Sequence, residues 1–162
     1  MEFDLYGNGK IMKKINLGCG TDIRLGYNNI DILGGQNVTR GDFRNLDTCG
    51  VKDASIEEML AIDIIQYIKF KEVGSTLTDW VKKLALNGEL HIESWDYNIL
   101  GNMLSYDYIA ADQLNNALYG DDKPQGLYNL VGIESFLRQL GMETMLKGFK
   151  EAKFYLRMRK VQ

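Results

Sequence analysis

Lys14–Ile32 reads KINLGCGTDIRLGYNNIDI. Ile15–Leu17 is a short apolar run of strand character, Gly18-Cys19-Gly20 is a turn, and Asn29–Ile32 is a second short strand carrying Asp31. Glycine at 18 and 20 permits a sharp turn and lets a ligand lie against bare main chain. An acid at the end of the neighbouring strand can accept hydrogen bonds from both hydroxyls of a ribose. Together these features predict a nucleoside site at the carboxyl edge of a parallel sheet.

Spacing narrows the nucleoside. The dinucleotide fingerprint needs a third glycine at position 23, which is Ile23, and an acid roughly 20 residues further on, whereas Asp31 comes much earlier. No GxxxxGK[ST] phosphate loop occurs. A ligand with a ribose but no phosphate suits this loop, and S-adenosylmethionine is such a ligand. Only Thr21–Asn28 separate the turn from the second strand. A crossover normally takes at least about 10–12 residues, so a turn or one helical coil is expected in place of the first helix.

The chain has 162 residues, of which 45% are hydrophobic, enough for one domain with a core. Residues 1–11 read as an N-terminal extension, a lid or an addition, ahead of a single domain at 12–162. No apolar run is long enough to cross a membrane and no leader pattern opens the chain, so a cytoplasmic protein is expected. A net charge of −3 argues against general nucleic-acid or anionic-membrane binding. Cys19 and Cys49 form no disulfide or zinc pattern, which fits a reducing compartment.

Elements alternate along the chain. Strands are expected at about Val38–Gly41, Ser55–Ala61 and Leu90–Ser94, a short helix at Ile62–Phe70, and a longer one at Ser75–Leu86 with Ser75 as N-cap and Asn87-Gly88 as its stop. Tyr106, Ile109, Ala110, Leu114, Ala117 and Leu118 recur at helical spacing, and another helix is expected from Gly132 to Leu140. Phe154, Leu156 and Met158 alternate with Tyr155, Arg157 and Arg159, a half-buried strand that pairs with Met142–Phe149 at an antiparallel sheet end.

The chain resembles the small class I S-adenosylmethionine-dependent methyltransferases, whose first motif reads LNLGCG…GW.N.D. Here that is INLGCG followed by Gly26-Tyr27-Asn28-Asn29-Ile30-Asp31. The resemblance continues in order through GDFRNL (Gly41–Leu46), WVKKLALNGELHIESWD (Trp80–Asp96) and IESFLRQLGM (Ile133–Met142). It implies a Rossmann-like α/β fold: a mostly parallel sheet with an antiparallel C-terminal strand, three α/β/α layers and a shortened first crossover. It also implies an enzyme that takes S-adenosylmethionine as cofactor and releases S-adenosylhomocysteine.

The cofactor residues it implies are Leu17, Gly18, Cys19 and Gly20 in the loop, Asp31 on the ribose and Ile32 on the adenine face. Asp42 and Phe43 fall where the family meets the adenine amine and a ring nitrogen, and Ile62 ends the fourth strand. Each has a plainer reading: a structural turn at Gly18 and Gly20, a solvated acid at Asp31, a surface turn at Asp42, an inert buried thiol at Cys19. Relatives often carry H..EH after the fourth strand, where this chain has Asp63, Gln66 and Tyr67. Asp63 is the candidate catalytic group, against a simple helix-terminal charge. Trp95 and Asp96 are candidates for substrate contact, and no metal is expected. His91 reads as a structural histidine, Tyr27 as packing, and Tyr128 and Asn129 as ordinary loop.

No NPPY-type or Pro-Cys signature of nucleic-acid methyltransferases is present. A small-molecule or sugar acceptor, methylated on oxygen or nitrogen, is therefore expected, with Tyr97–Tyr128 covering the acceptor side. A homodimer or partner protein could complete the site. The alternative is a non-catalytic S-adenosylmethionine-binding regulatory or scaffold protein; a nicotinamide enzyme is disfavoured by Ile23 and the early Asp31.

Overall fold

The computed structural model describes residues 13–106, 108–114 and 124–162. The expected extension at 1–11, and Ala117 and Leu118, lie outside them. Seven strands form one sheet: β1 (Lys14–Leu17), β2 (Asn28–Asp31), β3 (Val38–Arg40), β4 (Ile56–Ile62), β5 (Leu84–Trp95), β6 (Met142–Lys150) and β7 (Lys153–Lys160). Their order is β3-β2-β1-β4-β5-β7-β6. β3 through β5 pair in parallel, and β7 runs antiparallel to both β5 and β6. The strand order reverses at β1, between β2 and β4, so the carboxyl edge there is the crevice where ligands of open α/β sheets bind.

The longer helices among the described residues are α1 (Phe70–Lys83), α2 (Tyr97–Ser105) and α3 (Leu130–Gln139). Inward residues of the strands, Ile15, Leu17, Ile30, Met59, Ala61, Leu90, Ile92, Phe154, Leu156 and Met158, pack with Leu77 and Trp80 of α1 and Ile133 and Leu137 of α3. The two-residue strand period puts the alternate side chains on the other face. That face carries ion pairs around the buried Leu60: Lys14 pairs with Glu58, and Glu89 with Arg157 and Arg159. Among the described residues α1 and α3 share the core on one face of the sheet, and the β1–β2 and β2–β3 connections are loops.

Two buried asparagines hold the shortened first crossover. Asn16 and Asn29 are register partners on β1 and β2, 2% and 3% exposed. Asn16 Nδ2 donates to Asn29 Oδ1 (3.0 Å) and to the Asp22 carbonyl (2.7 Å). Asn29 Oδ1 accepts from the Arg24 N–H, and its Nδ2 donates to the carbonyls of Arg24 and Tyr27. Side-chain amides thus satisfy loop backbone groups that a crossover helix would have paired internally.

Several element boundaries differ from expectation. Ile62 belongs to β4, and the expected helix after it is only a 3-10 turn at Ile65–Tyr67. α1 begins at Phe70; Ser75 lies inside it and donates to the Glu72 carbonyl, so it caps nothing. Asn87-Gly88 does not end a helix: β5 starts at Leu84, and the register with β4 jumps from Ile56↔Leu84 to Glu58↔Glu89, so the pair forms a bulge. Asn87 takes φ 65°, and a Cβ on Gly88 would sit 2.6 Å from the Ile56 carbonyl oxygen, close approaches that a bulge demands. The helix after β5 is α2, ahead of the expected 106–118 segment, of which 111–114 is helical.

Candidate functional site

The glycine turn and Asp31 meet at the ends of β1 and β2. The Gly20 N–H donates to Asp31 Oδ2 (3.0 Å), and the Leu33 N–H to Asp31 Oδ1 (3.0 Å). Asp31's own carbonyl accepts the N–H groups of Gly34 and Gly41. One residue therefore ties the β1 turn, the β2 turn and the end of β3 together. Each carboxylate oxygen keeps a second lone pair, so Asp31 can still accept from two hydroxyls. Gly18 and Gly20 take φ values of 56° and 49°, the left-handed region glycine favours. Among the described residues a Cβ built on Gly20 meets nothing within 4 Å, so its main chain is bare on that side.

The rest of the loop is structural. Leu17 is in the core, and Cys19 is buried, its N–H bonded to the Ile30 carbonyl. Burial, then the nearby Asp31 charge, pushes the Cys19 thiol up, which makes it an inert thiol rather than a nucleophile. Ile32 is 54% exposed and Leu33 85%, an apolar rim beside Asp31.

In the turn after β3, the Arg44 guanidinium grips Asp42 with both carboxylate oxygens engaged (2.8 to 3.1 Å). That hydrogen bonding holds the Asp42 carboxyl below its usual range, against partial burial. Phe43 packs on the core, and its carbonyl accepts from the buried Trp80 indole (2.7 Å), which anchors this loop to α1.

At the end of β4, Ile62 is half-buried and Asp63 is left-handed at φ 54°. Such a conformation is uncommon for a residue with a side chain. The Asp63 N–H donates to the Glu93 carbonyl (2.9 Å), and Oδ2 accepts from Lys153 Nζ (2.6 Å). Asp63 Oδ1 is buried with no hydrogen-bond partner among the described residues. Gln66 donates to the Asp63 carbonyl and accepts from Ser94 Oγ, so it braces the strand end.

Asp96 is not the substrate contact expected of it. It is 2% exposed, its Oδ1 accepts from the Asn98 and Ile99 N–H groups, and its Oδ2 accepts from Leu130. The side chain caps α2 and clamps the start of α3. Trp95, by contrast, is 38% exposed with Lys153 Nζ 5.1 Å from its ring centroid. Tyr128 is a strut: its hydroxyl donates to the Ile68 carbonyl (2.6 Å), and burial, with the Glu72 charge, pushes it up to about 12. Asn129 is the N-cap of α3. Asn16, Asn29 and Lys153 were not legible as site residues, since their partners lie on other strands. Among the described residues no group of His, Cys, Asp and Glu could hold a metal.

The same sheet occurs in known proteins. A SAM-dependent methyltransferase from Thermotoga maritima, described as a possible histamine N-methyltransferase, superposes with a TM-score of 0.66 at 18% identity over 91% of this chain and 82% of that one. The chain has the class I methyltransferase fold. Methyltransferases of that fold from Mesorhizobium loti (TM-score 0.66, 11% identity, 91% of this chain and 90% of that one) and Archaeoglobus fulgidus (0.64, 12%, 91% and 86%) agree. No protein-family model matches the sequence, and no curated protein matches it. On the methyltransferase fold, the Gly18–Gly20 turn, Asp31, Asp42 and Asp63 all fall along the carboxyl edge. The bare Gly20 main chain and the lone pairs left on Asp31 fit S-adenosylmethionine, with Ile32 and Leu33 beside them to cover an apolar ring.

Proposed function

We propose that this protein is an S-adenosylmethionine-dependent methyltransferase acting on an oxygen or nitrogen of a small acceptor. The observation that carries the reading is the bond from the Gly20 N–H to the Asp31 carboxylate across the switch point of the sheet. In this reading Asp31 receives the ribose hydroxyls, the bare Gly20 main chain lies along the amino-acid portion, and Ile32 and the Asp42–Phe43 turn border the adenine. S-adenosylmethionine supplies a methyl group made electrophilic by its sulfonium. The protein then has to orient the acceptor, and alignment of this kind accounts for about 7–11 kcal/mol in favourable cases. Asp63 takes the acceptor's proton where the nucleophile still carries one.

Among the described residues no helix is long and apolar enough to cross a membrane. Completion of the site by a second copy or a partner protein is part of the proposal.

Calorimetric titration with S-adenosylmethionine, S-adenosylhomocysteine and NAD tests it. The first two are expected to bind, NAD is not, and Asp31→Asn, which keeps the loop contacts in outline, is expected to weaken binding at least tenfold, about 1.4 kcal/mol. No binding of either adenosyl ligand overturns the reading for this chain. Binding without formation of S-adenosylhomocysteine across acceptor classes supports the non-catalytic alternative.

A further inference from the structure

Resting on that reading of the site, the geometry points to Asp63 and Trp95 as a recognition pair for an alkylammonium group. In this structure the pair is filled by the chain's own Lys153, and the acceptor it suits is an amine. Lys153 Nζ lies 2.6 Å from Asp63 Oδ2 and 5.1 Å from the centroid of the Trp95 ring. A carboxylate on one side and an aromatic face on the other are the two surfaces that attract an ammonium ion.

The three residues come from different elements and meet at one place. Asp63 follows β4, Trp95 ends β5, and Lys153 starts β7 as the register partner of Trp95. The next residue after Asp63, Ile64, packs against Gly18, so the pair adjoins the glycine turn. Two features of Asp63 go beyond a simple ion pair: its left-handed backbone and a buried Oδ1 that has no partner among the described residues. Strain and an unmet acceptor at one residue are what functional sites accumulate.

Lys153 is displaceable. Its side chain is 34% exposed and that of Asp63 41%, and ion pairs so open to water contribute little. A substrate ammonium can therefore take the place of Nζ without breaking a strong bond. Asp63 then accepts the ammonium's proton, freeing the nitrogen lone pair that forms the new N–C bond as the methyl's bond to sulfur breaks and its electron pair stays on sulfur.

The test uses n-butylammonium as probe and n-butanol as its neutral counterpart. Binding is followed by tryptophan fluorescence, because Trp80 is fully buried and Trp95 reports on the site. Lys153→Met removes the internal competitor and is expected to bind n-butylammonium about tenfold or more tightly than wild type, with n-butanol unchanged. Lys153→Arg, which keeps the cation, is expected to stay as weak as wild type, and Lys153→Met/Asp63→Asn to lose the gain. Lys153→Gln serves in the same way if the methionine variant does not fold. Equal n-butylammonium affinity in wild type and Lys153→Met, or an equal gain for n-butanol, overturns the inference. S-adenosylmethionine titration of the same variants separates the two readings: retained binding with no ammonium gain overturns this inference alone, and an ammonium gain without it overturns only the transfer reading.

Discussion

Gly18 and Ile64 share one space at the mouth of the sheet: a Cβ on Gly18 would lie 2.4 Å from Ile64 Cγ2. Gly20, two residues on, has the same left-handed backbone and nothing among the described residues within 4 Å of an added Cβ. Gly18→Ala therefore meets both a backbone cost of about 1–2 kcal/mol and an overpacking cost of about 1–3 kcal/mol. Gly20→Ala meets only the first. Urea unfolding is expected to show Gly18→Ala as the less stable by at least about 1 kcal/mol. Calorimetry is expected to show that Gly20→Ala still loses S-adenosylmethionine affinity, because its new methyl covers the bare main chain. Equal stability of the two variants would show that Ile64 yields at no cost.

Lys83 lies under the loop between β3 and β4 with its side chain 1% exposed, paired with Asp47 and Asp53 and 3.9 Å from Asp79. Burial alone would lower its pKa, but hydrogen bonds to Asp47 and Asp53 raise it above the usual lysine value. The partners are far more open: Asp47 is 68% exposed and Asp53 47%. Lys83→Met leaves carboxylates that can turn to water and a methionine that fills the space, so a loss of only about 1–2 kcal/mol is expected. Asp47→Asn/Asp53→Asn leaves a buried ammonium facing Asp79 alone and is expected to cost more, about 3–5 kcal/mol. Chemical denaturation of the two variants decides the order; the reverse ranking would mean that the exposed acids contribute nothing.

Glu134 joins α3 to β6. Its Oε1 accepts from Thr144 and Arg138 and its Oε2 from Lys147 Nζ (2.7 Å), with only 6% of the residue exposed. Burial pushes its carboxyl up, but Lys147, Thr144 and Arg138 together outweigh that and bring it from 4.5 to about 2. A carboxyl depressed on folding stabilises the protein fully above its unfolded pKa. That contribution fades as pH falls from about 4.5 towards about 2. Unfolding free energies measured between pH 6 and pH 3 are expected to fall by about 1–2 kcal/mol more in wild type than in Glu134→Gln. Parallel pH profiles for the two proteins would remove Glu134 from the acid sensitivity.

What could be seen in the chain beforehand was governed by range. The strand at Ile15–Leu17, the turn at Gly18-Cys19-Gly20 and the terminal acid Asp31 are signalled by residues close in sequence, and all three appear where expected. The alternation at Phe154–Arg159 likewise marks β7 by itself. Asn87-Gly88 misled because the same dipeptide serves a helix stop and a strand bulge. Only the register against Ile56 and Glu58 distinguishes them. Asp96 misled because an acid at a strand's mouth looks like a ligand contact until the N–H groups of Asn98, Ile99 and Leu130 are seen to converge on it.

The order of elements, the parallel sheet with its antiparallel end, the missing third glycine at Ile23 and the short first crossover were determined by the sequence itself. Strand patterning, turn chemistry and loop length act over a few residues. Tertiary structure decided the rest: that Asn16 and Asn29 replace a helix, and that Lys153 reaches Asp63 and Trp95. Those pairings join residues brought together only by strand register and the crossover of β7 beside β5, and no local pattern encodes which distant side chain will fill a given space.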